Sequence, residues 1–202
     1  MTRIIGGEFG GRVLEVPATG TRPTSDRVRE AIFNKLSHDD ALEDAQVVDL
    51  FAGSGALGLE AISRGAKSAV LVDSAKKATA VAQRNADALG VTGQVRVVTD
   101  DAERYTAAMA RAGGLDGPNL RAADGLPKRA ITLVFLDPPY NYSEADLEKV
   151  LANLVRTGLL IAGATIVIER GTRTPPPTLP AGLELTQQKS YGETVVYYAT
   201  VV

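Results

Sequence analysis

Between Val47 and Gly58 the chain runs Val47-Val48-Asp49-Leu50-Phe51-Ala52-Gly53-Ser54-Gly55-Ala56-Leu57-Gly58, and no other stretch restricts its fold as tightly. An apolar strand enters a glycine turn, and residues 57–64 then read as a helix. Gly53 and Gly55 permit positive φ and close backbone approach, while the helix start offers N–H groups with no partner inside the helix. Ala69-Val70-Leu71-Val72-Asp73 follows as a second buried strand ending in an acid. About twenty residues beyond the glycines, that acid is placed to hold the two hydroxyls of a ribose.

Beyond the turn, strand and helix patterns alternate: strand 68–73, helix 75–89, strand 95–99, helix 102–111, strand 131–137, helix 144–156, strand 164–170. Such alternation predicts a parallel sheet covered by helices on both faces. Residues 112–129, rich in Gly and Pro, read as an irregular loop. Two final strands, 183–190 and 194–200, are joined by Tyr191-Gly192-Glu193. So short a connection requires an antiparallel hairpin. The expected fold class is therefore α/β, Rossmann-like: a seven-stranded, mostly parallel sheet with a C-terminal antiparallel hairpin. Residues 46–202 form that domain, and residues 1–45 read as a small hairpin-and-helix extension.

The spacing Gly53-x-Gly55-x-x-Gly58 suits a nicotinamide dinucleotide as well as S-adenosylmethionine (SAM). Two features favour the class I SAM-dependent methyltransferase arrangement. About forty residues precede the glycine strand, whereas a dinucleotide fold usually opens with it. The fourth strand, moreover, ends in Asp137-Pro138-Pro139-Tyr140. Proline is stiff and lacks an N–H, leaving carbonyls free to accept. The Asp137 carboxylate and the Pro138 carbonyl can each take a hydrogen bond from an exocyclic amino group, and Tyr140 offers a ring on which a nucleobase stacks. A dehydrogenase has no need of such a clamp.

Composition narrows the chemistry further. Without cysteine there is no disulfide framework, no thiolate metal site and no cysteine nucleophile for pyrimidine C5 methylation. The absence fits a reducing, cytoplasmic setting. His38 lies in the polar run Ser37-His38-Asp39-Asp40 and reads as a solvated loop residue, so no metal is expected. The start is not a signal peptide, and the apolar stretch 157–168 is too short to span a membrane. Net charge is −2, but the first 36 residues carry Arg3, Arg12, Arg22, Arg27, Arg29 and Lys35 against only Glu8, Glu15, Asp26 and Glu30. A mildly basic N-terminal face follows.

Within that face, residues 3–5 and 12–16 flank the glycine-rich Gly6–Gly11 segment as a β-hairpin. Thr24 or Ser25 is placed to cap a helix running to about Leu36, with Val28, Ile32 and Leu36 as its apolar stripe. Arg27 and Arg29 then occupy other faces, where they are surface charges, phosphate contacts or part of the cofactor site's closure.

Taken together, Arg3-Ile4-Ile5-Gly6-Gly7 with Gly11-Arg12, the run from Arg22 to Asn34, the glycine loop from Asp49 to Ala61 and the Asp137–Tyr140 clamp resemble the RsmD family of bacterial 16S rRNA guanine-N2 methyltransferases. The likeness covers nearly the whole chain. It implies transfer of one methyl from SAM to N2 of guanine 966 of 16S rRNA, in an assembled or late-assembly small subunit, by a protein expected to be monomeric. Tyr140 stands where members often have Phe, and Asp73 where Glu is common; the Tyr form also occurs in DNA adenine-N6 enzymes, which keeps that alternative open. A SAM-binding assembly factor without turnover is the third.

The expected roles are then as follows. Asp137, Pro138 and Tyr140 are catalytic. Thr24, Asp49, Ala52, Gly53, Ser54, Gly55, Asp73, Asp101, Ala102 and Asp137 surround the cofactor, with Asp100 a competitor of Asp101 for the adenine. Each of those two acids could equally be a helix cap. Asp49 is read as a brace for the loop rather than a chemical participant. Arg3, Arg12, Arg22 and Arg27 are the RNA contacts. Glu60 could be an ordinary exposed helix residue, although the resemblance favours a role for it, and Glu169 and Tyr191 are candidates for the rim of a base pocket.

Overall fold

The computed structural model describes residues 2–17, 25–111 and 131–202. Thr24, Arg22 and the 112–129 loop lie outside them. The elements, in order, are β1 (Thr2–Arg3), β2 (Val13–Leu14), α1 (Asp26–His38), β3 (Gln46–Asp49), α2 (Ala56–Ser63), β4 (Ser68–Asp73), α3 (Lys76–Leu89), β5 (Val95–Thr99), α4 (Ala102–Arg111), β6 (Ile131–Leu136), α5 (Glu144–Arg156), β7 (Leu160–Gly171), β8 (Leu183–Tyr191) and β9 (Thr194–Val201). β1 and β2 pair by themselves, and the other strands form one sheet in the order β5-β4-β3-β6-β7-β9-β8. The pairs from β5 to β7 are parallel, whereas β9 is antiparallel to both β7 and β8. That is the expected mostly parallel, seven-stranded sheet with a terminal hairpin.

Strand periodicity sorts the side chains into two layers. On β3 and β6, Val47, Leu133 and Phe135 face a core shared with Ile32, Phe33 and Leu36 of α1, Leu59 of α2 and Ala82 of α3. Val48, Val134 and Leu136 face the opposite core, with Tyr105 of α4 and Leu147, Val150 and Leu154 of α5. α1 thus fills the main core instead of standing apart from the sheet. Its start is capped by the Ser25 hydroxyl, which accepts from the Val28 N–H, and its end reaches His38, two residues past the apolar stripe.

Two further differences have local causes. β7 begins four residues before its expected start, and its pairing with β6 slips between Ile131 and Leu133. Residues 161–163 are exposed and Gly163 has φ +80°, so neither burial nor alternation announces a strand there. Arg29 is not on an open face: its side chain is 1% exposed and donates to the Arg3 carbonyl and to Asp26.

The topology places the two informative motifs together. From β3 the chain goes outward through β4 to β5, then returns to start β6 on the other side of β3. At such a reversal the strand ends leave a crevice, which is where open α/β sheets bind ligands. Asp49 pairs with Phe135 across it, so the glycine loop leaving β3 and the Asp137 segment leaving β6 emerge side by side.

Candidate active site

Gly53 and Gly55 adopt φ of +55° and +83°. At Gly55 a Cβ would come within 2.9 Å of Leu71 Cδ1, whereas nothing lies within 4 Å of where a Gly53 Cβ would stand. One glycine lets the loop close onto the sheet, and the other leaves open space on the ligand side. Asp73, from the end of β4, fixes the loop: one carboxylate oxygen accepts from the Gly53 N–H at 2.8 Å and the other from the Ala75 N–H at 2.8 Å.

Asn85 is a participant that sequence reasoning missed. Buried on α3, it donates to the Ser54 carbonyl (2.9 Å) and the Glu15 carbonyl (3.0 Å) and accepts from the Glu15 N–H (2.8 Å). It thereby ties the glycine loop to the N-terminal segment. An asparagine within a helix gives no periodic signal, and its partners lie 31 and 70 residues away.

The loop borders a cavity of about 1030 Å³ whose wall includes Ala52, Gly53, Ser54, Asp73, Asp101 and Ala102 together with Asp137, Pro138, Tyr140, Glu169 and Tyr191. Between the two competing acids, Asp101 is on the wall and Asp100 is not. Asp100 pairs with Arg104, while Asp101 also caps α4 by accepting from the Arg104 N–H at 3.1 Å. Gly55 lies behind the wall, turning the loop. Ser25, the cap of α1, and Arg27 in its first turn line the cavity, whereas the exposed Arg3 and Arg12 are not on its wall. Arg12 donates to the Ala88 carbonyl, and Arg3 lies 3.7 Å from Asp26.

The clamp segment is held from behind. The Tyr142 N–H donates to the Pro139 carbonyl at 2.9 Å, and the Tyr142 ring meets Phe51 edge-on at 5.0 Å. Buried Arg170 donates to the Tyr142 carbonyl at 3.0 Å and pairs with Glu144. Pro138 is buried and Asp137 half-buried, while Tyr140 stands 65% exposed at the mouth. Its ring lies flush against Gly171, where a Cβ would come 3.3 Å from the ring. Among the described residues, no group of three or more acidic or histidine side chains could hold a metal ion.

Asp49 is not on the cavity wall. Fully buried beneath the loop, it accepts from the Gly58 N–H at 3.2 Å, so its position is that of a brace and not of a direct cofactor contact. Burial pushes its carboxyl up to about 7; the Gly58 N–H opposes this and the nearby Asp137 carboxylate adds to it. Because the folded protein holds this proton more tightly than the unfolded chain, the favourable contribution is complete below about pH 3.8 and is lost as pH rises through about 7. Asp49→Asn, which keeps the carbonyl acceptor without the charge, is expected to flatten that slope. The stability gain over the native protein, at most about 4 kcal/mol, should grow from pH 4 to pH 8. Urea unfolding at several pH values measures it; parallel pH profiles for the two proteins would refute the assignment.

Comparison with known proteins agrees with this architecture. A family profile described as conserved hypothetical protein 95 matches residues 2–200. The chain is 38% identical to ribosomal RNA small subunit methyltransferase D of Escherichia coli over 192 residues, covering 95% of this chain and 85% of that protein. It is 35% identical to the putative rRNA methyltransferase YlbH of Bacillus subtilis, covering 96% of each. The solved structure of the putative methyltransferase yhhF from E. coli superposes with a TM-score of 0.79 at 35% identity, over 99% of this chain and 97% of that one. The crevice at the reversal of strand order, bordered by a glycine loop on one side and an Asp-Pro-Pro-Tyr segment on the other, is thus carried on the fold of the conserved hypothetical protein 95 family, the family of ribosomal RNA small subunit methyltransferase D, and this chain belongs to it.

Proposed function

We propose that the protein transfers a methyl group from SAM to the exocyclic N2 of a guanine in 16S rRNA, with guanine 966 of the small subunit as the target. One observation carries the reading: the sheet reversal sets Asp137 and Pro138 on the same cavity wall as the glycine loop. The relatives named for rRNA methylation supply the substrate class. The protein acts in the cytoplasm, as a monomer, on an assembled or late-assembly particle. Among the described residues no helix is long and apolar enough to cross a membrane.

The residues suit SAM. The space beside Gly53 admits its methionine portion, Asp73 retains acceptor capacity for ribose hydroxyls, and Asp101 with Ala102 offers a carboxylate and an N–H to the adenine. When bound, the sulfonium supplies a methyl that is already electrophilic. The protein's task is to present a poor nucleophile, because the amino lone pair is delocalised into the purine. Asp137 and the Pro138 carbonyl accept the two N–H bonds, turn the lone pair toward the methyl and stabilise the positive charge that develops on nitrogen. That nitrogen would take the methyl from SAM, which leaves as the neutral thioether, and Asp137 or water would take the proton that the methylated ammonium gives up. Stacking on Tyr140, worth about 1–3 kcal/mol, offsets part of the cost of unstacking the guanine.

The deciding experiment supplies labelled SAM to small subunits from a strain lacking the protein. Label should enter these and not already modified subunits, and nucleoside analysis should yield N2-methylguanosine. N6-methyladenine from a DNA substrate would instead favour the adenine reading left open by Tyr140. Particle binding without incorporation would favour an assembly factor.

A further inference from the structure

Behind the Tyr140 ring lies a second cavity of about 490 Å³, walled by Tyr140, Thr172, Arg173, Thr174, Pro175 and Glu193. It shares Tyr140, Gly171, Thr174 and Glu193 with the main cavity, so the two spaces meet at the tyrosine. Its wall is braced. The Thr172 N–H donates to the Glu193 carbonyl at 2.9 Å, fastening the strap after β7 to the tip of the β8–β9 hairpin, and the Thr174 N–H closes a turn onto the Gly171 carbonyl at 3.0 Å. The absence of a side chain at Gly171 lets the Tyr140 ring lie against the strap.

We propose that this second cavity receives the nucleotide adjoining the target base in the RNA strand, with Arg173 meeting the phosphate that links the two. The inference rests on the function proposed above and extends it to the neighbouring residue of the substrate. A base drawn into the main cavity remains tied to its neighbours by single phosphodiester links, so one neighbour must emerge beside Tyr140. The chemistry of the second cavity matches what arrives there. Arg173 is an exposed guanidinium, which pairs with phosphate in a bidentate manner. The Thr172 and Thr174 hydroxyls are suited to a ribose 2′-hydroxyl and to base-edge groups, the features that distinguish single-stranded RNA. Pro175 and the outer edge of Tyr140 provide apolar surface for a base. Tyr140 then separates two successive nucleotides, holding the target on its inner side and the neighbour on its outer side.

Two measurements test the subsite. In methyl transfer to unmodified small subunits, Arg173→Ala should raise KM about tenfold, the effect of losing one charge-assisted contact, with kcat within about twofold and SAM affinity unchanged. Arg173→Lys should recover most of the loss. Independently of turnover, binding to the complex with S-adenosylhomocysteine should be compared for guanosine 5′-monophosphate and the dinucleotides GpU and UpG. One dinucleotide should bind several-fold more tightly than the mononucleotide, and Arg173→Ala should erase that gain. An unchanged KM, or dinucleotides that bind no better than the mononucleotide, overturns the subsite. Failure of the native enzyme to methylate subunits refutes the proposed function, and the dinucleotide comparison still reports on the second cavity.

Discussion

Asp137→Ala is expected to lower kcat for methyl transfer by at least about 10²–10³-fold while the dissociation constant for SAM stays nearly constant. The size follows from the role proposed for the carboxylate. In that role it would accept a hydrogen bond that strengthens as positive charge gathers on nitrogen, and loss of one such preorganised partner in other enzymes costs that much. The selectivity follows from position. Asp137 leaves β6, on the other side of β3 from β4 and β5, the strands that lead into Asp73, Asp101 and Ala102, and Gly53 takes its own brace from Asp73. Asp137→Asn refines the test: it retains one carbonyl acceptor and removes the charge, so its kcat should fall between those of the native enzyme and the alanine variant. Single-turnover assays at saturating SAM, with calorimetry for cofactor binding, separate the two quantities. Undiminished turnover in Asp137→Ala would eliminate the clamp, and an equal loss in SAM affinity would reassign Asp137 to cofactor binding.

Legibility in the sequence varied with the range of the interaction. The glycine loop, β4 and β6 are local patterns: apolar runs of strand length that end in an acid or a glycine turn, and their positions were fixed by periodicity alone. Alternation of elements announced a parallel sheet covered on both faces, but not the order of its strands: the reversal at β3, and with it the meeting of the Asp49 and Asp137 segments across adjacent strands, is visible only in the structure. What could not be read was the wiring between distant segments. Asn85, Arg170 and Glu60 act through partners 26 to 70 residues away, and a polar residue on a helix or strand looks the same whether it meets water or a buried amide. Arg29 shows the limit clearly. Its place off the apolar stripe of α1 suggested exposure, yet the N-terminal hairpin covers it, and its guanidinium bonds to the Arg3 carbonyl.

Glu60→Ala is expected to destabilise the protein by about 3–5 kcal/mol, because Glu60 is the residue on which the N-terminal segment docks. Its side chain on α2 is completely buried, so of the two readings the sequence left open it is not the ordinary exposed helix residue. One carboxylate oxygen accepts from the Ile5 N–H at 2.6 Å; the other accepts from the Gly6 N–H at 2.9 Å and from Arg64 Nε at 2.7 Å. Ser63, one turn on, continues the seam by donating to the Gly6 carbonyl and accepting from the Phe9 N–H. Gly7 is required there, since a Cβ would overlap the Ser63 carbonyl. Alanine at position 60 removes the acceptor of two part-buried backbone donors and of a guanidinium, each loss costing about 1–3 kcal/mol. At roughly 2–4 °C per kcal/mol for a domain of this size, Tm should fall by about 10 °C. The loss should be local first: amide exchange at Ile5 and Gly6 should accelerate before that of β3 or β6, since the seam and not the sheet has been cut. Glu60→Gln should lie between the two, because it keeps one acceptor and gives up the charge facing Arg64. A Glu60→Ala protein with native Tm and native protection at Ile5 would show that the hairpin is held by other contacts, such as burial of Ile4 and Leu14, and that the carboxylate is dispensable.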